Sequence, residues 1–142
     1  MSEDHYRRRF DGLPTTTLVG GLVIVEATSA RSRTLGLAGL PAIPAELALL
    51  IGRCRGIHTF GVRFSLDLVW LAQDGSVARV DRDVRPRRVR VCRTARSVAE
   101  MPAGQADAFV AAWAPAGTRA APSTEPWSRG STKPPGSSWR RS

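Results

Sequence analysis

The residue types able to do chemistry are few and gather in the middle of the chain. Cys54, His58 and Asp67 bring a thiol, an imidazole and a carboxylate within fourteen residues. A nucleophile, a base and an orienting acid need those three types, provided the fold brings the side chains into hydrogen-bonding reach. His5, the other histidine, falls in a polar N-terminal stretch, so imidazole chemistry would rest on His58. No G-x-S-x-G turn, phosphate loop or dinucleotide fingerprint accompanies them. Cys54 and Cys92 show neither C-x-x-C spacing nor the Cys/His spacing of a zinc finger, and are read as free, buried thiols. No metal and no cofactor is expected.

Asp67 most needs an explanation, because it is set between Leu66 and Leu68 in an apolar run. A buried carboxylate is costly unless hydrogen bonds or a counter-charge compensate it. His58, Thr59, Arg63 and Ser65 lie just upstream. His58, Arg63 and Asp67 therefore form the candidate polar or ligand-binding cluster. In one reading Asp67 is tied to backbone amides or to Arg63 and fixes a turn. In the other it stands in a cleft with His58.

A second candidate is cationic. Residues 85–96 read R-P-R-R-V-R-V-C-R-T-A-R, six arginines and no acid, and Arg85, Arg87, Arg88 and Arg90 are the candidate anion contacts. If Val89 and Val91 face one way, Arg88, Arg90 and Cys92 face the other, giving a solvated basic strand face. Asp81, Asp83 and Glu100 are close enough in sequence to screen the charge, and no aromatic platform is interleaved with it.

Residues 57–77 must position these groups. Over 66–71 both alternating faces are apolar, the pattern of a strand covered on both sides. Asp74-Gly75 predicts a tight hairpin, with the return strand over 77–84. Upstream, a polar arm over 1–17 leads into a strand over 18–27. Ser29 caps a short helix that Gly36 ends. Residues 57–62 read as a strand and 97–101 as the last one, whereas 46–51 is ambiguous, since Leu47, Leu50 and Ile51 have helical spacing in a short run. Ala106, Phe109, Val110 and Trp113 recur at i, i+3, i+4 and i+7, the apolar stripe of a helix packed on the sheet.

The segment S-L-D-L-V-W-L followed by D-G-S-V, with R-T-L-G-L at 33–37 and E-M-P-A-G at 100–104, resembles the bacterial and archaeal family called domain of unknown function 192. Order and spacing agree over residues 25–104. The resemblance implies a compact β-rich domain with short helices, a strand over 49–51 and no established activity. Members commonly carry Pro two residues before the acid, where this chain has Ser65, and a Trp-Met pair where it has His58 and Thr59. Their Gly-rich closing strand is replaced here by an Ala-rich segment.

The expected fold is mainly β (α+β), a compact antiparallel β-barrel or sandwich-like domain over 18–113. A flexible arm over 1–17 precedes it and a disordered Pro/Gly/Ser/Arg-rich tail over 114–142 follows. The chain of 142 residues has room for one core, and its net charge of +9 comes almost wholly from arginine. Residues 1–10 contribute +1 and the tail +4, leaving +4 on the rest of the chain. The apolar stretch near residue 20 is too short and too interrupted for an export signal, and a cytoplasmic protein without a transmembrane segment is expected. Three functions fit. One is a binding or interaction module that uses the sheet face or the loops near His58 and Asp67, with a protein as its candidate partner. Another is a basic accessory protein touching nucleic acid or anionic membrane through 85–96 and the tail. The third is a small enzyme using His58 and Asp67.

Overall fold

The computed structural model describes residues 2–113, and the tail expectation lies outside the described residues. The elements in chain order are α1 (Ser2–Phe10), β1 (Thr15–Thr17), β2 (Val23–Glu26), α2 (Ala30–Leu35), β3 (Leu47–Gly52), β4 (Gly56–His58), β5 (Leu66–Leu71), β6 (Val77–Val84), β7 (Val89–Val91), β8 (Ser97–Pro102) and α3 (Ala106–Ala112). The fold is mainly β and sandwich-like, with short helices. Its main sheet has six strands in the order β1-β2-β3-β8-β5-β6, and β4 and β7 form a separate ribbon.

Of the two expected forms the described residues take the open, sandwich-like one, and the sheet is mixed rather than purely antiparallel, because β2 and β3 run parallel. Parallel neighbours need a crossover connection. Here the connection carries α2, whose start is fixed by Ser29 and Ser32 in a reciprocal capping box and whose end is turned by Gly36 at φ 48°.

Strand β5 is buried along its whole length, as its doubly apolar pattern predicts. Leu66, Leu68 and Trp70 join one core with Val23, Val25, Leu47, Leu49 and Val98. Val69 and Leu71 join the other, with Ile24, Ala48, Ala99, Met101 and Phe109. The sheet therefore separates two apolar layers. The second is covered by α3, where Phe109 is fully buried and stacks on Trp113 at 5.2 Å between ring centroids. The first is covered by Leu37 and Leu40, by the β4/β7 side through Ile57 and Cys92, and by α1.

Helix α1 occupies the stretch read as an arm. Tyr6 and Phe10, one helical turn apart, are buried in the first core, and Arg9 Nη1 donates to the carbonyls of Gly36 at 3.2 Å and Ala38 at 3.0 Å. The polar composition of the segment hides two aromatic anchors at i and i+4. Downstream, residues 18–21 turn instead of extending the strand, with Gly20 and Gly21 both at positive φ.

The hairpin joins β5 to β6 where expected, with a different turn. Gly75 alone takes positive φ (86°), the Gly75 N–H donates to Ala72 O at 3.0 Å, and Asp74 instead accepts from Ser76 N–H at 2.9 Å. The pairing slips by one residue there, since Trp70 faces Arg79 and Leu71 faces Val77. A longer loop ending in a Gly bulge replaces the two-residue turn.

Candidate functional site

Asp67 sits on β5 with its carboxylate in the second apolar layer, the side that holds its register partner Met101. Its Oδ1 accepts from Asp83 N–H at 2.9 Å, and its Oδ2 accepts from Gly104 N–H at 2.9 Å and Ala106 N–H at 3.0 Å. One acid thus holds three pieces of backbone. The first is the β6 bulge, where Asp83 has φ 49°; the second is the turn after β8; the third is the first residue of α3. Gln105, the N-cap of that helix, gives no side-chain cap, so Asp67 caps it from another strand.

The structure does not bring His58, Arg63 and Asp67 together. His58 ends β4 on the first-core side of the sheet, and Asp67 points to the other side. Arg63 is exposed in the connection between β4 and β5. Thr59 is buried and accounts for the local geometry. Its Oγ1 donates to Arg85 O at 2.7 Å and accepts from Arg88 N–H at 2.8 Å, tying the connection to the start of the basic run.

Arg85, Arg87 and Arg88 are exposed and Arg90 is partly buried. The alternation on β7 is as expected but its sense is reversed. Val89 and Val91 lie on the solvated face, 59% and 54% exposed, while Arg88 and Arg90 fold back to donate to the carbonyls of Arg87 and Val89.

Cys54 and His58 do share a pocket, and the acid in it is Glu100. The pocket measures about 110 Å³ and lies between the end of α2, β3, β4 and β8; Arg33, Gly36, Cys54, His58, Phe60 and Glu100 define its character. Glu100 is in β8, between β3 and β5, paired with Leu49 on one side and Leu68 on the other. Its side chain therefore enters the first apolar layer with theirs. It is 5% exposed, and among the described residues it has no hydrogen-bond or ion-pair partner. Burial alone pushes its carboxyl from 4.5 up to about 7. The tip lies against the end of α2, so that a Cβ on Gly36 would stand 3.5 Å from Oε2. Arg9, by holding the Gly36 and Ala38 carbonyls, fixes that wall from outside.

Cys54 is half-buried, and its thiol donates to Gly56 O at 3.2 Å. Burial pushes the thiol upward beyond what that bond offsets, and the nearby Glu100 carboxylate adds to the rise. A thiol held protonated is a poor nucleophile. At the pocket mouth the rings of His58 and Phe60 are 5.8 Å apart, and Phe60 is 52% exposed. Among the described residues no three His, Cys, Asp or Glu side chains gather closely enough to hold a metal ion. No helix among them is long and apolar enough to cross a membrane.

Glu100 was legible only as an acid near the basic run. The available signal was its place in V-A-E-M, where it alternates with Val98 on a face with no polar companion. The same signal, an acid set in a doubly apolar strand, marks Asp67.

A mixed sheet with an apolar layer on each face and a pocket on one of them defines a small β-rich domain of a recurrent kind. The family model described as DUF192, Uncharacterized ACR, matches residues 19–111, and the chain belongs to this family. A crystal structure of a proposed transcription regulator from Sinorhizobium meliloti 1021 is similar, with a TM-score of 0.56 and 18% identity over 67% of this chain and 82% of that one. So is that of a protein of unknown function from Novosphingobium aromaticivorans DSM 12444, with a TM-score of 0.55 and 17% identity over 68% and 76%. At such identities the likeness extends to the fold. No curated protein matches the chain.

Proposed function

We propose that the domain is a binding module whose pocket takes a small ligand bearing a hydrogen-bond donor, with Glu100 as the group that reads it. The observation that carries this reading is the buried, unpartnered Glu100 carboxyl in the pocket wall. A buried acid without a partner is kept at a cost to stability, and a donor from a ligand would remove that cost. At about 110 Å³ the pocket admits a group of about half a dozen heavy atoms, such as an amine or amide end. His58 and Phe60 flank the entrance and would contact the rest of the ligand.

Binding is favoured over catalysis by two features. The Cys54 thiol is pushed toward its protonated form, and Asp67, the acid a His58-centred enzyme would use, has all its bonds on the other side of the sheet. The basic-accessory reading retains the support of Arg85, Arg87 and Arg88, which are exposed and have no carboxylate partner among the described residues.

The test is a titration of the full chain with a panel of small amines and amides, followed by amide chemical shifts. A binder should shift Gly36, Cys54, His58 and Glu100 together, and Glu100→Gln should weaken it by about tenfold or more, the worth of a hydrogen bond to a charged group. Binders that leave those four signals still, or bind Glu100→Gln equally well, would remove the pocket from the account.

A further inference from the structure

The ends of β3 and β8 carry a second concentration of chemistry that the pocket does not use. An open hollow of about 490 Å³ is lined, among the described residues, by Arg53, Arg55 and Arg96. It adjoins a wider hollow of about 660 Å³, to which Arg53 and Arg96 also contribute together with Arg33 and Glu26. Among the described residues none of the four arginines has a carboxylate partner, and Glu26 makes no ion pair with them.

The backbone beneath is pinned. Cys54 N–H donates to Arg96 O at 2.9 Å and Cys92 N–H donates to Arg55 O at 2.8 Å, so the 53–55 and 92–96 loops are held edge to edge. Arg55 Nε donates to Ala95 O at 3.1 Å, which aims the guanidinium and leaves both of its terminal nitrogens uncommitted. Arg53 is held in the left-handed region at φ 51°, a conformation that a side-chain-bearing residue keeps only where its surroundings enforce it. Arg53 and Arg55 are both exposed, on either side of the half-buried Cys54.

Three guanidinium groups around one concavity repel one another, and among the described residues their one side-chain bond to the fold is that of Arg55 to Ala95 O. Their planar forks match the oxygens of a phosphoryl group, which several arginines can grip at once. We infer that Arg53, Arg55 and Arg96 form a binding site for the phosphoryl group of a small phosphorylated ligand, with Arg33 able to reach a second phosphate in the adjoining hollow. The three side chains enclose one concavity instead of a stripe, which suits a compact anion better than the backbone of an extended strand. Arg53, Arg55 and Arg96 lie outside the lining of the Glu100 pocket, which shares only Arg33 with the adjoining hollow, so this inference stands or falls without that pocket.

The experiment is calorimetric titration of the full chain with inorganic pyrophosphate at low ionic strength. Arg53→Gln/Arg96→Gln is compared with Arg85→Gln/Arg87→Gln, which removes the same charge elsewhere. The first pair should weaken pyrophosphate by about a hundredfold, one lost charge-assisted contact per residue, and the second by less than about threefold, the effect of distant screened charge. In the unmodified chain, pyrophosphate should shift the Nε–H signals of Arg53, Arg55 and Arg96, a readout that does not depend on any variant folding. Equal weakening by both pairs would overturn the site in favour of a diffuse basic field. So would the absence of binding at about 10 mM pyrophosphate, beyond the range of a useful site. A single-stranded oligonucleotide that binds more tightly than pyrophosphate, and that both pairs weaken alike, would also overturn it.

Discussion

Asp67 and Glu100 are buried acids on neighbouring strands, one register position apart, and they point to opposite faces of the same sheet. Asp67 accepts three backbone N–H bonds and ties a bulge, a turn and a helix start together. Glu100 accepts none among the described residues, and burial raises its carboxyl to about 7. Equal burial thus has opposite meanings. An acid whose lone pairs are filled by the backbone works for the fold, whereas an acid left open in a pocket wall lowers stability and is available to something outside the chain.

Substitutions sharpen that contrast, and the largest effect belongs to Asp67. Asp67→Ala strands one buried and two partly buried N–H groups and should cost about 3 kcal/mol or more, a fall in melting temperature of roughly 10 °C or more. Asp67→Asn keeps the shape but turns an amide toward N–H donors, and should still lower the melting temperature by several degrees. A melting temperature unchanged in Asp67→Asn would break the structural half of the comparison.

Glu100→Gln should act in the other direction. The folded-state value lies above the ordinary 4.5, so the stability contributed by the protonated carboxyl is fully present below about 4.5 and is lost as pH rises through about 7. At pH above that window Glu100→Gln should be more stable than the parent by up to about 3 kcal/mol, and the two should converge in acid. Melting curves of both proteins across the window measure this. Parallel curves would mean that the carboxyl is already compensated.

Smaller effects test the pocket wall. Arg9→Gln removes the bonds to the Gly36 and Ala38 carbonyls and should cost about 1–2 kcal/mol by thermal denaturation. Gly36→Ala meets only ordinary contact with Glu100, yet its positive φ should make it unfavourable by about 1 kcal/mol in denaturant unfolding.

Much of the sheet could be read from residue types. Leu66–Leu71 and Val77–Val84 follow directly from a doubly apolar run and a Gly-containing turn, and Ser29 with Gly36 brackets α2 as capping chemistry requires. Helix α3 follows from its apolar stripe. The parallel β2/β3 pair was not legible, because pairing direction depends on the crossover path and not on the strands' own composition. Helix α1 was obscured by charge that lies on its solvated side, while Tyr6 and Phe10 carry the packing.

The site was legible in parts. Asp67 stood out, and one of its two readings, bonding to backbone amides, describes what its carboxylate does. Its partners, Asp83, Gly104 and Ala106, lie 16 to 39 positions away and could not be named from neighbours in sequence. One pocket joins Cys54 and His58 but leaves Asp67 out, because the face of the sheet decides which acid joins them. Parity along β8 sends Glu100, not Met101, to that face.

The most direct test of the account is the titration of the Glu100 side-chain carboxyl in the free protein, followed by its carbon chemical shift. A midpoint near 7 is the predicted result, with a shift of that midpoint when a donor-bearing ligand occupies the pocket. A midpoint at the ordinary 4.5 would show that the carboxylate already has its partners, and the contrast with Asp67 would disappear.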